Sequence, residues 1–207
     1  MGIRLWRGIV VLGLLALTSC QNKQLKPIGL VRYVENLKNG MRKKVIIGAW
    51  EYDVQYKPVT YAICQEQRKE TITKTELKNG KQAKEGYLIF SMKIKNTQYE
   101  NMSMLKLISK DYTEYTKLFT YMSTEAKNDF ELVYKNDKLT PTIYQYEPNF
   151  DITPYDVILV GFSIQPEKYA TEDFTLIYND NVLQNGILKC LFTKIDLQNL
   201  PSLQTLN

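Results

Sequence analysis

The residues that decide the fold lie between positions 87 and 96 and read YLIFSMKIKN. Every second residue is apolar over most of this stretch: Leu88, Phe90, Met92 and Ile94. The positions between them are mainly polar. Because successive side chains of a strand point to opposite faces of a sheet, this alternation predicts a β-strand with one face in an apolar core.

Further strands are predicted on both sides of this one. Upstream, apolar and aromatic residues alternate within a strand predicted over residues 45–56. Downstream, strands are predicted over residues 130–134, 142–146, 156–165, 174–178 and 186–195, and residues 102–108 are a further candidate. Several short strands at roughly ten-residue spacing favour an antiparallel sandwich over βαβ units.

One helix is predicted, over residues 111–128. Asp111 is a suitable N-cap, and Glu114 follows it at capping-box spacing. Apolar residues then recur at spacings of three and four: Tyr115, Leu118, Phe119, Met122 and Ala126. We interpret this stripe as a face that packs on the core, although an unpartnered stripe would be a binding face.

Two segments upstream are interpreted differently. Residues 59–66 fit either a short helix after Pro58 or a resumed strand. Residues 67–86 are rich in Lys, Thr, Glu and Gly, so we expect a hairpin or an exposed loop around Asn79-Gly80.

The first 19 residues have the three parts of a secretory signal. Arg4 and Arg7 are followed by the aliphatic stretch 9–17 and then by Leu17-Thr18-Ser19-Cys20. The apolar stretch is shorter than the roughly 20 residues that a transmembrane helix needs. The last four residues resemble the lipobox of bacterial lipoproteins, which implies acylation of Cys20 and membrane attachment through that lipid. The alternative is an ordinary secretory signal followed by an incidental cysteine.

The remaining chain is expected to hold a flexible tether over residues 20–29 and a single domain over residues 30–207. Its 188 residues are a typical size for one domain. Residues 27–44 are interpreted as a solvated loop. Arg42, Lys43 and Lys44 offer an alternative, a patch attracted to anionic lipid headgroups.

Charge and composition exclude several classes of function. The chain carries a net charge of +5, and loss of Arg4 and Arg7 with the signal lowers it to +3, which argues against a nucleic-acid surface. Histidine is absent, so neither a Ser-His-Asp system nor a His-ligated zinc site can form. No phosphate-binding loop, nucleophile elbow or calcium loop occurs. We therefore expect no catalytic residues, no metal site and no cofactor.

Two cysteines remain after Cys20. Cys64 and Cys190 both lie in apolar surroundings. An exported chain meets an oxidising compartment, so these residues form either a disulfide or two separately buried thiols.

Aromatic residues crowd the segment between residues 144 and 155, which is stiffened by Pro148 and Pro154 and preceded by Pro141. The candidate binding residues here are Tyr144, Tyr146, Phe150 and Tyr155. Tyrosine combines a flat apolar ring with a polar tip, which suits recognition of a protein or of a carbohydrate. The alternative is that these rings cover the edge of the sandwich.

Several tracts resemble a group of uncharacterised bacterial envelope lipoproteins. They are Phe130-Glu131-Leu132-Val133, Tyr144-Gln145-Tyr146-Glu147, Pro154-Tyr155, Ile158-Leu159-Val160-Gly161-Phe162, Phe174-Thr175-Leu176-Ile177-Tyr178-Asn179-Asp180 and the strand from Asn185-Gly186 that ends at Asp196-Leu197-Gln198-Asn199-Leu200-Pro201. The strand order also resembles extracellular immunoglobulin-like accessory domains. The resemblance implies a mainly β fold, an antiparallel immunoglobulin-like β-sandwich with one inserted helix, and it implies no activity.

These observations predict a non-catalytic, lipid-anchored envelope lipoprotein that binds or supports an envelope protein. The alternative is a glycan-binding surface lipoprotein that stacks loop aromatics on sugar rings. We expect attachment to the outer membrane.

Overall fold

The computed structural model describes residues 23–99, 102–135, 137–164 and 172–207. The signal segment 1–19 and Cys20 lie outside these ranges. Within them the chain is mainly β, with antiparallel sheets and several helices, an arrangement compatible with a β-sandwich.

The strands of the described residues fall into two large sheets and one short pair. They are β1 (Gln24–Leu25), β2 (Arg42–Ile47), β3 (Trp50–Lys57), β4 (Tyr87–Asn96), β5 (Phe130–Tyr134), β6 (Asp137–Leu139), β7 (Ile143–Glu147), β8 (Asp156–Ser163), β9 (Phe174–Asp180), β10 (Gly186–Phe192) and β11 (Ser202–Leu203). The helices are α1 (Pro27–Glu35), α2 (Val59–Gln67), α3 (Lys74–Lys84), α4 (Met104–Ile108), α5 (Tyr112–Thr124) and α6 (Lys194–Gln198).

The strand predicted from YLIFSMKIKN is confirmed as β4, at the centre of a five-stranded antiparallel sheet. The order of that sheet is β2-β3-β4-β8-β7. A second antiparallel sheet has the order β10-β9-β5-β6 and contains the strands predicted from residues 130, 174 and 186. The last of these was predicted to reach residue 195 but ends at Phe192, because Thr193 caps the helix α6. Strands β1 and β11 form a separate parallel pair.

The core lies between the two large sheets and is built from aromatic rings. Phe90 of β4 and Tyr56 of β3 come from one sheet, and Phe174 of β9 and Phe192 of β10 come from the other. The ring centroid of Phe90 lies 5.8 Å from that of Phe174 and 5.5 Å from that of Phe192. The alternating apolar face of β4 therefore contacts the opposite sheet, as its pattern predicts.

The single strand predicted over residues 45–56 is two strands. The chain reverses at Gly48 and Ala49, and β2 then pairs with β3 in antiparallel register from Ile47 opposite Trp50. Gly48 has a φ of +59°, a conformation that glycine adopts without a steric penalty. The apolar alternation continues through this turn and hides it from a pattern-based prediction.

The predicted helix is confirmed as α5, followed by a 3₁₀ turn over Ala126–Asp129. The side chain of Asp111 accepts a hydrogen bond from the backbone N–H of Glu114 at 2.8 Å. Met122 and Ala126 are buried, and the other stripe residues are partly buried against the core. The stripe is therefore a packing face.

The expectation of one helix is wrong, and α3 shows why. Thr73 and Glu76 form a full capping box at its start, a signal present in the sequence. The dipeptide Asn79-Gly80 is typical of a turn but lies inside this helix. A β-carbon at Gly80 would lie 2.8 Å from the side chain of Ile63 in α2, so glycine here permits close helix packing.

Two other segments differ from the prediction. The expected tether over residues 20–29 and loop over residues 27–44 are wrong from Gln24 onward, because β1 pairs with β11 and Pro27 begins α1, where its missing N–H costs nothing. The candidate strand over residues 102–108 is the helix α4. Residues 59–66 form the helix α2, one of the two alternatives.

Candidate binding site

Two of the four predicted binding aromatics are packing residues. Tyr144 and Tyr146 lie on β7 beneath α5. The hydroxyl of Tyr144 donates to the carbonyl oxygen of Met122 at 2.7 Å. The ring of Tyr146 meets that of Phe119 in α5 edge-on, at a centroid distance of 6.3 Å. Burial raises the pKa of both tyrosines well above its usual value, so both hydroxyls stay protonated donors.

The other two candidates lie in the connection between β7 and β8. The side chain of Phe150 is 63% exposed. The ring of Tyr155 is partly covered, with the ammonium of Lys93 4.2 Å from its centroid. The structure therefore does not bring the four aromatics together on one surface, and Phe150 is the one that faces solvent.

Residues 149–155, here called the β7–β8 loop, have a strained backbone. Phe150 and Asp151 have φ values of +49° and +59°, in the left-handed region that non-glycine residues rarely occupy. Such residues cost of order 1–3 kcal/mol each and persist only where surrounding contacts hold them. Strain of this kind is concentrated at functional sites.

Hydrogen bonds from a neighbouring segment hold this loop. The carboxylate of Asp151 accepts from the backbone N–H of Ser103 at 2.9 Å and from the ammonium of Lys106. These bonds hold the pKa of Asp151 below its usual value. Within the loop, the backbone N–H of Ile152 donates to the carbonyl of Asn149 at 2.9 Å.

Asp156 is the buried centre of the support beneath the loop. Its carboxylate is 1% exposed and accepts from the backbone N–H groups of Met104 at 2.9 Å and Asn149 at 3.0 Å. It also accepts from the hydroxyl of Tyr146 at 3.0 Å. Burial raises the pKa of Asp156, and the hydrogen bonds oppose that shift. Two nearby polar atoms, Ser103 Oγ and Asn149 Nδ2, are buried without a partner among the described residues.

These contacts display three apolar side chains to solvent. Met102, Phe150 and Ile152 are 43%, 63% and 82% exposed, and we call them the loop patch. Asp151 lies between Phe150 and Ile152, and its carboxylate accepts a hydrogen bond from the backbone N–H of Ser103, the residue after Met102. The three apolar side chains therefore lie at the same end of the molecule. The aromatic pattern of the sequence pointed to Phe150 and to neither Met102 nor Ile152. An isoleucine in a polar, proline-bounded loop is the signal that could have found Ile152.

The cations of the predicted headgroup patch are paired with acidic residues of the sheet and of α6. Arg42 donates to Asp53 at 2.7 Å, and Lys44 donates to Glu51 at 2.8 Å. The ammonium of Lys43 lies 3.9 Å from the carboxylate of Asp196. Because each cation has an acidic neighbour, these residues do not form an unpaired basic surface.

A second buried polar cluster joins the two sheets. The hydroxyl of Tyr52 in β3 donates to the carboxylate of Asp180 in β9, which also accepts from the backbone N–H of Leu183 at 2.9 Å. Asn185 Nδ2 donates to the Tyr52 hydroxyl at 2.6 Å. Asp180 is thus engaged in holding the sheets and the turn that follows β9.

The cysteines Cys64 and Cys190 are free thiols, each buried in its own part of the core. Of the two alternatives from the sequence, the structure has separate thiols in α2 and β10. Burial raises the pKa of each to about 11, so both are protonated and unreactive near neutral pH.

The described ranges contain neither a group of three Cys, Asp or Glu side chains that could hold a metal ion nor a helix with the length and apolarity of a membrane span.

No protein-family model matches the chain, and no curated protein matches it. Among solved structures, a novel protein of unknown function from Burkholderia pseudomallei is similar at 12% identity over 86% of this chain and 94% of that chain, with a TM-score of 0.36.

Proposed function

We propose that this chain is a non-catalytic, lipid-anchored envelope lipoprotein that binds an envelope protein through the loop patch. The observation that carries the proposal is the strained β7–β8 loop, which presents Phe150 and Ile152 to solvent. A rigid apolar side chain that enters a pocket of a partner loses little conformational entropy on binding. Such residues provide most of the binding energy in many interfaces.

The aliphatic residues favour a protein over a glycan. Sugar rings stack on flat aromatic faces, whereas Met102 and Ile152 are flexible or branched. Tyr144 and Tyr146, which a stacking site would use, are packed beneath α5. Glycan binding through Phe150 is the alternative, and a glycan array tests it.

The membrane attachment in this proposal depends on Cys20. Gln24 is already paired in β1, so three residues separate it from Cys20, and the four steps along the chain span at most about 14 Å. A lipid on Cys20 would therefore hold the domain close to the bilayer. The outer membrane as its location, and the relation to immunoglobulin-like accessory domains, are parts of the same proposal, the latter supported by the two facing antiparallel sheets.

Changes in the loop patch test the binding site. We expect Phe150→Asn and Ile152→Ser each to weaken partner binding by about tenfold or more, as the loss of an interface anchor does. Asparagine tolerates a positive φ, so the first change leaves the loop conformation intact. A photo-crosslinking residue at position 152, incorporated in whole cells, identifies the partner, and binding of the purified partner then gives the affinity.

The matched control for these variants is Ile195→Ser. Ile195 in α6 is also an exposed isoleucine, 69% accessible, and is outside the loop patch. Its replacement should leave partner binding unchanged. Equal loss in the control and the patch variants, or crosslinking at 152 that recovers no dominant protein, would contradict the proposed site.

The lipid anchor is tested by Cys20→Ser. We expect the variant to keep its signal segment uncleaved and to carry no lipid, because the serine hydroxyl does not replace the thiol that receives the lipid. Its association with the membrane fraction should fall for the same reason. Mass spectrometry of the N-terminus and membrane fractionation measure both effects. Ser19→Ala keeps a small residue before the cysteine and should be processed normally. Unchanged processing and membrane association of Cys20→Ser would refute the anchor.

A further inference from the structure

A groove with both apolar and cationic walls lies between α1 and α2. It has a volume of about 840 Å³, within the range of small-molecule sites. Ile28 and Val31 of α1 and Ala62 of α2 provide apolar surface, and Lys57 and Arg68 provide positive charge. None of the loop-patch residues lines it, so this groove is separate from the proposed protein-binding site.

The charges of the groove leave two cations without an ion pair. Among its other charged residues, Lys84 pairs with Glu66 at 2.7 Å and Lys69 pairs with Glu76. A further carboxylate, Glu70, also lines it, so its four cations and two acids leave a net charge of +2. Lys57 and Arg68 form no ion pair within the described residues.

Lys57 is placed where an unpaired charge is costly. It is the last residue of β3 and is partly buried, and burial lowers its pKa. The carboxylates of Glu35 and Glu147 oppose that shift through space and Lys93 adds to it, but neither acid reaches ion-pair distance. Glu35 instead accepts hydrogen bonds from the hydroxyl of Tyr61 at 3.0 Å and from Nε2 of Gln65 at 3.4 Å. The Lys57 ammonium is therefore available to an incoming anion.

Arg68 complements this lysine. It ends α2 in the left-handed conformation, with a φ of +50°, and its side chain is exposed. A guanidinium binds phosphate and carboxylate groups through two parallel N–H donors, whereas an ammonium acts as a point charge. The two cations on one groove thus supply the two usual ways of binding such anions.

We propose that this groove binds a small organic anion. Its phosphate or carboxylate contacts Lys57 and Arg68, and its apolar part packs against Ile28 and Val31. An inorganic ion would leave the apolar wall uncovered, and a neutral apolar molecule would leave Lys57 without a counter-charge. A free metabolite and the headgroup region of an anionic lipid both carry this chemistry.

NMR titration of the purified full-length chain, held in nanodiscs of zwitterionic lipid, tests this site. The probes are hexyl phosphate, hexanoate, inorganic phosphate, hexanol and a water-soluble short-chain phosphatidic acid. We expect the organic anions to bind and to shift the amide signals of Val31 and Ala62. Tighter binding of phosphatidic acid than of hexyl phosphate would identify a lipid as the source, and the reverse order would identify a free metabolite.

Variants of the two cations complete the test. Lys57→Met should weaken binding by about tenfold or more, the loss that corresponds to one hydrogen bond to a charged group. Lys57→Arg should largely restore it, and Arg68→Asn, which tolerates the positive φ, should also weaken it. The control Lys38→Met removes an exposed lysine outside the groove and should have no effect.

Thermal unfolding shows whether each variant is folded. Lys57→Met should be folded, because it removes a partly buried charge that has no ion pair. Binding of inorganic phosphate as tight as that of hexyl phosphate, binding that survives loss of both cations, or no binding of any organic anion would overturn the proposal.

Discussion

Asp156→Ala is expected to lower the free energy of unfolding by about 2–4 kcal/mol, since buried donors that lose their acceptor cost roughly 1–3 kcal/mol each and such costs are not fully additive. Three donors depend on this carboxylate: the Met104 and Asn149 backbone N–H groups and the Tyr146 hydroxyl. Chemical denaturation measures the change. Asp137→Ala, at an exposed position in β6, is the control and should change stability by less than about 0.5 kcal/mol.

The Asp156 variant should also release the β7–β8 loop. The backbone N–H groups of Asn149 and Met104 both lose their acceptor in this variant, and Met104 belongs to the segment that holds Asp151 through Ser103 and Lys106. Phe150 and Ile152 should therefore no longer be held in one conformation. We expect weaker partner binding together with the loss of stability. A destabilised variant that retained full partner affinity would show that the loop conformation is irrelevant to recognition.

The stability difference between wild type and Asp156→Ala should depend on pH. Burial raises the pKa of Asp156 in the folded state above its value in the unfolded chain. Protonation of Asp156 therefore stabilises the folded state relative to the unfolded state. This contribution is fully present below the unfolded pKa and is lost as the pH rises through the folded pKa. The difference should grow as the pH falls from neutral. A difference that shrinks over this interval would contradict the pKa direction.

The second large effect is expected at the centre of the core. Phe90→Ala should lower the free energy of unfolding by about 3–5 kcal/mol, the usual cost of removing a buried phenylalanine ring. Phe90 is fully buried and contacts rings of both sheets, including Phe162 at 6.0 Å and Phe192 at 5.5 Å between centroids. Removal of the ring would leave a cavity between the two sheets, and the cavity could be filled only if the sheets moved closer together.

Phe150→Ala is the matched control for this change. The same atoms are removed, but the ring of Phe150 is 63% exposed and is absent from the core. Its replacement should alter stability little while it weakens partner binding. If both alanine variants lost similar stability, the assignment of one ring to the core and the other to the surface would be wrong.

The strands β4, β5, β7, β8, β9 and β10 were predictable because their signal is local. In β4 the alternation sets which side chains face the core, and pairing with β3 and β8 only confirms it. The helix α5 was predictable for the same reason, because its N-cap and its apolar stripe both lie within one short segment of the sequence. The helix α3 was not, since its polar composition hid the capping box and Asn79-Gly80 suggested a turn. The packing of Gly80 on Ile63 depends on the position of another helix.

The candidate site was predictable only in part. The clustering of aromatics pointed to the segment that contains two of the three loop-patch residues, Phe150 and Ile152, and both are exposed there. That segment did not show that Tyr144 would be covered by α5, because the bond to Met122 joins residues 22 positions apart. Nor did it show the role of Asp156, whose donor Met104 is 52 positions away.

By itself, the sequence determined the β-rich class, the central strand, the main helix and the segment in which to look for a binding surface. Periodicity and caps are properties of neighbouring residues, so these features could be predicted without a structure. The tertiary structure alone decided which aromatics are buried, which basic residues are neutralised and which residues line the groove between α1 and α2. Those outcomes depend on the packing of distant segments, which determines the burial of each side chain and whether its charge has a partner.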